Sequence, residues 1–201
     1  MRLFLIRHGE TPWTLARRYQ GKTDTPLSRV GIRQARAIAK ALGAERPTRL
    51  YVSTLQRARS TAQIIGKKLG LKLIADSRLN ELNFGKWEGA SYPHLAKSDE
   101  SVFRRWRLGK LKKPPGGESV ASLARRVGQF FKKITELHSR ESVAVVSHGG
   151  PIKMFLFKVL QARSPSIWSL RIDPASISLV EGDKNFLQVV WTNRTEHLHS
   201  K

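Results

Sequence analysis

A chain of 201 residues, 40% hydrophobic and 26% charged, has the apolar content for one substantial core and the composition of a globular protein; no apolar run approaches the roughly 18 residues of a membrane-spanning helix. Cysteine is absent, which excludes disulfides, thiolate metal sites and cysteine nucleophiles. The 37 lysines and arginines against 15 aspartates and glutamates give a net charge of +22, so anionic partners have to be weighed. The basic residues are spread over most segments, and zinc-finger spacing, an RNP-like aromatic motif and a separate basic tail are missing. A basic surface around an ordinary enzyme is therefore favoured over a dedicated nucleic-acid module, which would bind DNA or RNA in a salt-sensitive way whatever its catalytic groups do. Strand-like residues start at Arg2 or Leu3, leaving no room for a secretory signal, so the expectation is a cytoplasmic location with no membrane partner.

Leu3-Phe4-Leu5-Ile6 predicts a buried strand that stops abruptly at Arg7-His8-Gly9. Arg7 offers a planar fork of donors, His8 a ring nitrogen that is largely neutral near pH 7, and Gly9 room for a sharp turn. The polar stretch from Glu10 to Pro26 reads as a loop beyond the carboxyl end of that strand, where open α/β sheets place their ligands. Ile32, Ala35, Ile38, Ala39 and Leu42 fall at helical spacing, predicting a helix over 31–42 with Ser28 ahead of it and Gly43 as its stop. Residues 50–53 read as a second strand, and Thr54 as the start of a helix with Leu55, Ala58, Ala62, Ile65 and Leu69 on its apolar stripe. Arg57 then sits in a first helical turn, beside free amides that suit an anion; taken alone it could equally be a solvated arginine.

Residues 71–75 predict a third strand, and 76–89 a long ordered connection. Glu81, flanked by Leu79 and Leu82, is a partly enclosed carboxyl and a candidate proton donor, whereas Glu88 is expected to be a surface carboxylate without a role. Residues 91–113 are weakly helical and hold the densest basic run, Arg104 to Lys113; they predict a small helical cap over the pocket, its charges either solvated or drawing in anionic substrates. After the Pro114-Pro115-Gly116-Gly117 break, a long helix runs from Glu118 to Leu137. Residues 142–147 form the most hydrophobic strand and the best candidate for a central one, followed by His148-Gly149-Gly150 and a helix with Pro151 in its first turn. Residues 167–172, 176–181 and 186–191 read as short strands, with a turn at 182–185.

Two buried strands thus end alike, in Arg7-His8-Gly9 and in Ser147-His148-Gly149. In a parallel sheet the carboxyl ends share an edge, so His8, His148 and the helix start bearing Arg57 meet around one crevice that the Glu81 loop can reach. Two histidines and two arginines with few clustered carboxylates suit an oxyanion better than a metal, although a two-histidine metal pair is an alternative. His197 and His199 also form a His-x-His near the end, for which a tail contact is favoured over a metal site.

Arg7-His8-Gly9-Glu10-Thr11, Arg57 within Ser53-Thr54-Leu55-Gln56-Arg57-Ala58, Glu81 ahead of Phe84-Gly85-Lys86-Trp87-Glu88-Gly89, and Ser147-His148-Gly149-Gly150 resemble the histidine phosphatase superfamily, also called phosphoglycerate mutase-like, in order and over nearly the whole chain. The resemblance implies a single α/β domain over 1–201 with the cap at about 91–113, and a three-layer α/β/α architecture around a mostly parallel central sheet. It further implies that His8 becomes a phosphohistidine, that Arg7, Arg57 and His148 hold the phosphoryl oxygens, and that Glu81 protonates the leaving oxygen and later activates water, with no cofactor and no metal. Gln20 and Gly21 match the substrate loop of the family, and Thr23 is a further candidate there; Thr14 stands where many members have asparagine. The 84–89 segment, the 115–119 run and the 193–198 tail are similar to bacterial α-ribazole phosphatase-like and related small-molecule phosphatases. Hydrolysis of a small phosphorylated substrate, α-ribazole 5′-phosphate being one candidate, is therefore expected. Phosphoglycerate mutase-type transfer, a phosphoserine or sugar phosphatase, and a non-catalytic nucleic-acid-binding protein on the same fold are the alternatives.

Overall fold

A computed structural model describes residues 1–162 and 167–199. Its first strand, β1 (Arg2–Arg7), is buried on both faces, which is why it reads as a continuous apolar run. Leu3 and Leu5 enter one core together with Val143 and Val145, while Phe4 and Ile6 enter the opposite core with Ala144 and Val146. Each such side chain, fully buried, contributes roughly 1.5–3 kcal/mol, so the two central strands anchor both cores at once.

The remaining elements follow in chain order: α1 (Pro12–Leu15), α2 (Arg29–Glu45), β2 (Arg49–Val52), α3 (Gln56–Leu69), β3 (Leu73–Ala75), α4 (Tyr92–Ser98), α5 (Glu100–Arg107), α6 (Val120–Leu137), β4 (Ser142–Ser147), α7 (Gly149–Val159), β5 (Ile177–Gly182) and β6 (Leu187–Arg194). The sheet order is β3-β2-β4-β1-β5-β6. Its first four strands are parallel, and β5 and β6 are antiparallel additions at one side. Helices α2 and α3 cover one face through Ile38, Leu42, Ala58 and Ile65; α6 and α7 cover the other through Val127, Phe130, Phe155 and Leu156. This is the expected three-layer α/β/α architecture with β4 in a central position. Among the described residues, no helix is long and apolar enough to cross a membrane.

Several boundaries depart from the sequence expectation, each for a local reason. Residues 167–172 are not a strand: Ile167–Ser169 form a 3₁₀ turn, and the segment crosses the carboxyl edge of the sheet, where Ile172 O accepts from Arg7 Nη1 at 2.6 Å. Trp168 is drawn instead to the aromatic cluster under the cap, 5.0 Å from the Trp106 ring and 6.0 Å from the Phe84 ring. Gly43 does not stop α2, which runs on until Arg46 turns left-handed at φ 47°. Helix α3 starts at Gln56 instead of Thr54 because Asn80 Oδ1 accepts from the Thr54 amide and from the Ser53 hydroxyl, holding both out of the helix. Leu71 donates its amide to Gly66 O to close the end of α3, so β3 begins only at Leu73. Within the segment expected to be a small helical cap lie two short helices, α4 and α5.

Candidate active site

The register of β1 on β4 pairs Arg7 with Ser147, so the next residues, His8 and His148, emerge side by side at the carboxyl edge. Their rings meet edge to face with centroids 5.1 Å apart. The turn after β1 is crowded: a Cβ on Gly9 would lie 2.6 Å from Gly31 O, so only glycine lets the loop pass against the first turn of α2. Gly9 N donates to Thr61 Oγ1 at 3.1 Å, which ties the loop to α3.

Hydrogen bonding assigns a proton to each imidazole. His8 Nδ1 is 2.8 Å from Gly9 O, a group that can only accept, so Nδ1 carries the hydrogen and Nε2 keeps a free lone pair. His148 Nε2 lies 2.7 Å from Ser53 Oγ, whose own hydrogen goes to Asn80 Oδ1 at 2.7 Å. The Thr54 backbone amide fixes that Asn80 oxygen as the acceptor, so His148 Nε2 is the donor to Ser53, and Nδ1 is left buried and without a partner. Ser53 and Asn80 thereby orient His148, a role that sequence reasoning missed although Ser53 lies in the same motif as Arg57.

Arg57 is not a solvated arginine: its side chain is 0% exposed. Its guanidinium donates to Gly21 O at 2.7 Å and Thr23 O at 3.1 Å and pairs with Asp24 at 3.3 Å, while Nε is buried without a partner. Arg7 Nε is likewise buried and unpartnered. Two arginines therefore present unsatisfied N–H donors beside His8. Buried donors of this kind call for an oxygen-rich anion, whereas the bare Nδ1 of His148 is an acceptor that calls for a donor such as a protonated phosphoryl oxygen.

Glu81 is held at the N-terminus of α7, accepting from Gly150 N at 3.1 Å and from Leu82 N at 2.8 Å. Its loop is clamped by Arg126 of α6, which donates to the carbonyls of Arg78, Asn80 and Glu81 and pairs with Glu118 at 2.8 Å. The Glu118–Arg126 clamp gave no sequence signal, because its partners are backbone oxygens far away in sequence.

A cavity of about 720 Å³ opens on this centre and is lined by Arg7, His8, Thr14, Gln20, Arg57 and Glu81 among others; His148 stands behind it, fully buried. The cap contributes Tyr92, Phe103 and Arg107, and Arg107 is the only member of the 104–113 basic run that lines the cavity. Thr14 uses its hydroxyl locally, accepting from Thr11 N at 2.8 Å and donating to Thr11 O at 3.0 Å in a capping box on α1. Both Gln20 amide hydrogens are engaged, by the hydroxyls of Thr11 and Thr25. Gly21 and Thr23 do not line the cavity; their carbonyls instead position Arg57. Glu88 has a clear role, contrary to expectation: its carboxylate accepts from the amides of Lys22, Thr23 and Phe84 and from the Thr23 hydroxyl, so it holds the loop that holds Arg57. His197 makes the expected tail contact, with Ala175 O at 3.0 Å.

Lys153 was also missed. It lies one turn into α7 from Gly149, lines the cavity, and carries its ammonium 5.3 Å from the Trp168 ring centre. Burial, reinforced by Arg7, pulls its pKa from 10.5 to about 8. Its sequence signal was available: a lysine three to four residues beyond the glycines, on a helix whose other residues, Lys158 in the last turn apart, are apolar or glycine.

Burial pushes both His8 and His148 well below 6.5, and Arg57 and Arg7 push them the same way, so the folded protein holds both rings neutral. Below 6.5 the unfolded chain takes up these protons and the folded chain does not. The contribution is thus complete above that pH and is lost as pH falls. Unfolding in urea should show stability falling as pH drops from about 7 to about 5, with both rings contributing in the same direction. An unfolding free energy flat across this window would contradict the neutral assignment.

Comparison with known proteins identifies the family. Bifunctional protein Rv2228c of Mycobacterium tuberculosis is 39% identical over 181 residues, which are 90% of this chain and 50% of that protein, so the chain spans about half the length of that relative. Phosphoserine phosphatase 1 of Hydrogenobacter thermophilus is 33% identical over 199 residues, covering 98% of this chain and 94% of its own. The solved structure of Bacillus stearothermophilus YhfR superimposes with a TM-score of 0.90 at 30% identity, covering 98% of each chain. With the family match extending over residues 3–195, from the first residue of the buried run in β1 to the tail beyond β6, the chain belongs to the histidine phosphatase superfamily, branch 1.

Proposed function

We propose that the protein is a phosphomonoesterase that passes the phosphoryl group of a small anionic substrate through His8 to water. The observation that carries this reading is the fixed tautomer of His8, which leaves Nε2 free on a ring that lies against His148 and is coupled electrostatically to Arg57 and Arg7, each with an unsatisfied buried Nε. Nε2 attacks phosphorus, the ester oxygen leaves, and the cations offset charge on the equatorial oxygens in flight. An alkoxide leaves poorly, so a proton must reach the ester oxygen as the bond breaks; in this reading Glu81, which lines the same cavity as His8, gives it and then takes a proton from the water that cleaves the phosphohistidine. No step in this scheme is assigned to a metal.

Hydrolysis is supported by the match, along nearly the full length of both chains, to a relative named as a phosphoserine phosphatase and by solved structures named as phosphatases; a relative named as a probable phosphoglycerate mutase, 34% identical over 90% of this chain, keeps transfer as the rival that the test must separate. For the substrate, α-ribazole 5′-phosphate is the first compound to try, with phosphoserine and sugar phosphates as rivals. The test is a phosphomonoester panel, run with 2- and 3-phosphoglycerate interconversion in parallel. Release of inorganic phosphate with negligible interconversion supports the reading; interconversion without phosphate release would sink it.

A further inference from the structure

The +22 charge is not accounted for by the phosphatase site, and its arrangement on α2 is not that of a merely solvated face. Arg29, Arg33, Arg36 and Lys40 recur at spacings of four, three and four, which stacks them along one side of α2, and all four are exposed. That side is opposite the buried stripe of Gly31, Ala35, Ile38, Ala39 and Leu42. At 1.5 Å per residue the row is ~16 Å long. None of the four pairs with a carboxylate among the described residues, and the only acidic residue of α2, Glu45, sits in its last turn and is bound by Arg2. Neighbouring α3, packed on the same sheet face, adds exposed Arg59 and Lys67 and contains no acidic residue.

Helix stability argues against this placement. Like charges at these spacings repel, Arg29 and Arg33 near the N-terminus oppose the helix dipole, and Glu45 at the other end opposes it too. A row that disfavours its own helix is explained by a polyanion that neutralises it. We propose that the outer face of α2 and α3 binds the phosphate backbone of a nucleic-acid duplex, as a property separate from the phosphatase site. A single strand fits less well, because neither helix carries an aromatic side chain for bases to stack on. A membrane surface also fits less well, because the row is flanked only by Val30 and Ile32, both about one-third exposed at 37%, with no large group to insert.

The test uses the full chain, a fluorescent duplex of DNA and one of RNA, and anionic phosphatidylserine vesicles. Wild-type affinity for a duplex should fall roughly 100-fold as salt rises from ~50 to ~200 mM, the slope expected for about four phosphates. Combining Arg29→Gln, Arg33→Gln, Arg36→Gln and Lys40→Gln should remove most of that binding and flatten the salt dependence. The charge-matched control, Arg125→Gln, Lys132→Gln, Lys133→Gln and Arg140→Gln on the opposite layer, should stay within about threefold of wild type; equal phosphate release by all three proteins shows that each is folded. Binding of either duplex with this pattern supports the proposal, and the two arms say which nucleic acid is preferred. Equal losses in both variants, no duplex binding near ~100 mM salt, or α2-dependent binding to vesicles without duplex binding would each overturn it.

Discussion

His8→Ala is expected to lower kcat by about 10⁵-fold or more while leaving the protein folded. The imidazole supplies the only nucleophile in the scheme: Arg7 and Arg57 are cations, His148 uses its Nε2 on Ser53, and the free Nδ1 of His148 is fully buried in a ring that does not line the cavity. Ground-state binding should survive, because the groups that hold the oxygens remain, so a phosphate or vanadate competitor should bind within about tenfold of wild type. The fold should tolerate the change because His8 contributes a ring that must be kept neutral in a buried, cationic place. Its removal should therefore also reduce the acid sensitivity of unfolding. A variant that keeps more than about one part in a thousand of the activity, with substrate specificity intact, would mean that the phosphoryl group does not pass through this ring.

The second large effect is expected at Glu81. Glu81→Gln keeps the shape and can still accept from the Gly150 amide, so the α7 entrance should be undisturbed. It removes only the transferable proton. Alkyl phosphates, whose leaving oxygen is strongly basic, should lose about 10²- to 10⁴-fold in kcat. An aryl phosphate such as p-nitrophenyl phosphate leaves as a stable anion and should lose far less in the phosphorylation step. Burst kinetics separate that step from dephosphorylation, where water must be activated and both substrates should suffer alike. An equal loss for alkyl and aryl leaving groups in the burst would remove Glu81 from the acid role.

The elements that position the site were legible because they obey period and burial at once. The runs in β1 and β4 are apolar at every position, the mark of strands covered on both faces, and each ends in a histidine. Their adjacency followed from the shared edge of a parallel sheet, and Arg57 from its place one residue into α3. The supporting contacts were not legible, because they run between distant segments through single atoms. Ser53 and Asn80 are 27 residues apart, and the Arg126 clamp on the Glu81 carbonyl spans 45. Glu88 was misjudged for the same reason: its partners are backbone amides of a loop 65 residues earlier, and no side-chain pattern announces them. The segment at 167–172 was misread because its alternating apolar residues serve an aromatic cluster under the cap and not a sheet, a destination that only tertiary packing reveals.

At several positions to which the resemblance assigns roles, the structure shows specific contacts. Gly21 and Thr23 act through Arg57, offering it their carbonyls, rather than by lining the cavity. Thr14, in place of the usual asparagine, is occupied in capping α1, which leaves the leaving-group side of the cavity to Gln20, the cap and Lys153.

The account turns on a covalent phosphohistidine, and that species can be trapped. Wild-type protein mixed with a phosphorus-radiolabelled phosphomonoester and quenched in alkali within the first turnover should carry up to about one phosphate per chain, stable to base and labile to acid. Proteolysis should place the label on the peptide containing His8, and dilution into water should discharge it as inorganic phosphate at the turnover rate. No label in the first turnover under conditions where phosphate is released, or label on a residue other than His8, would contradict the mechanism.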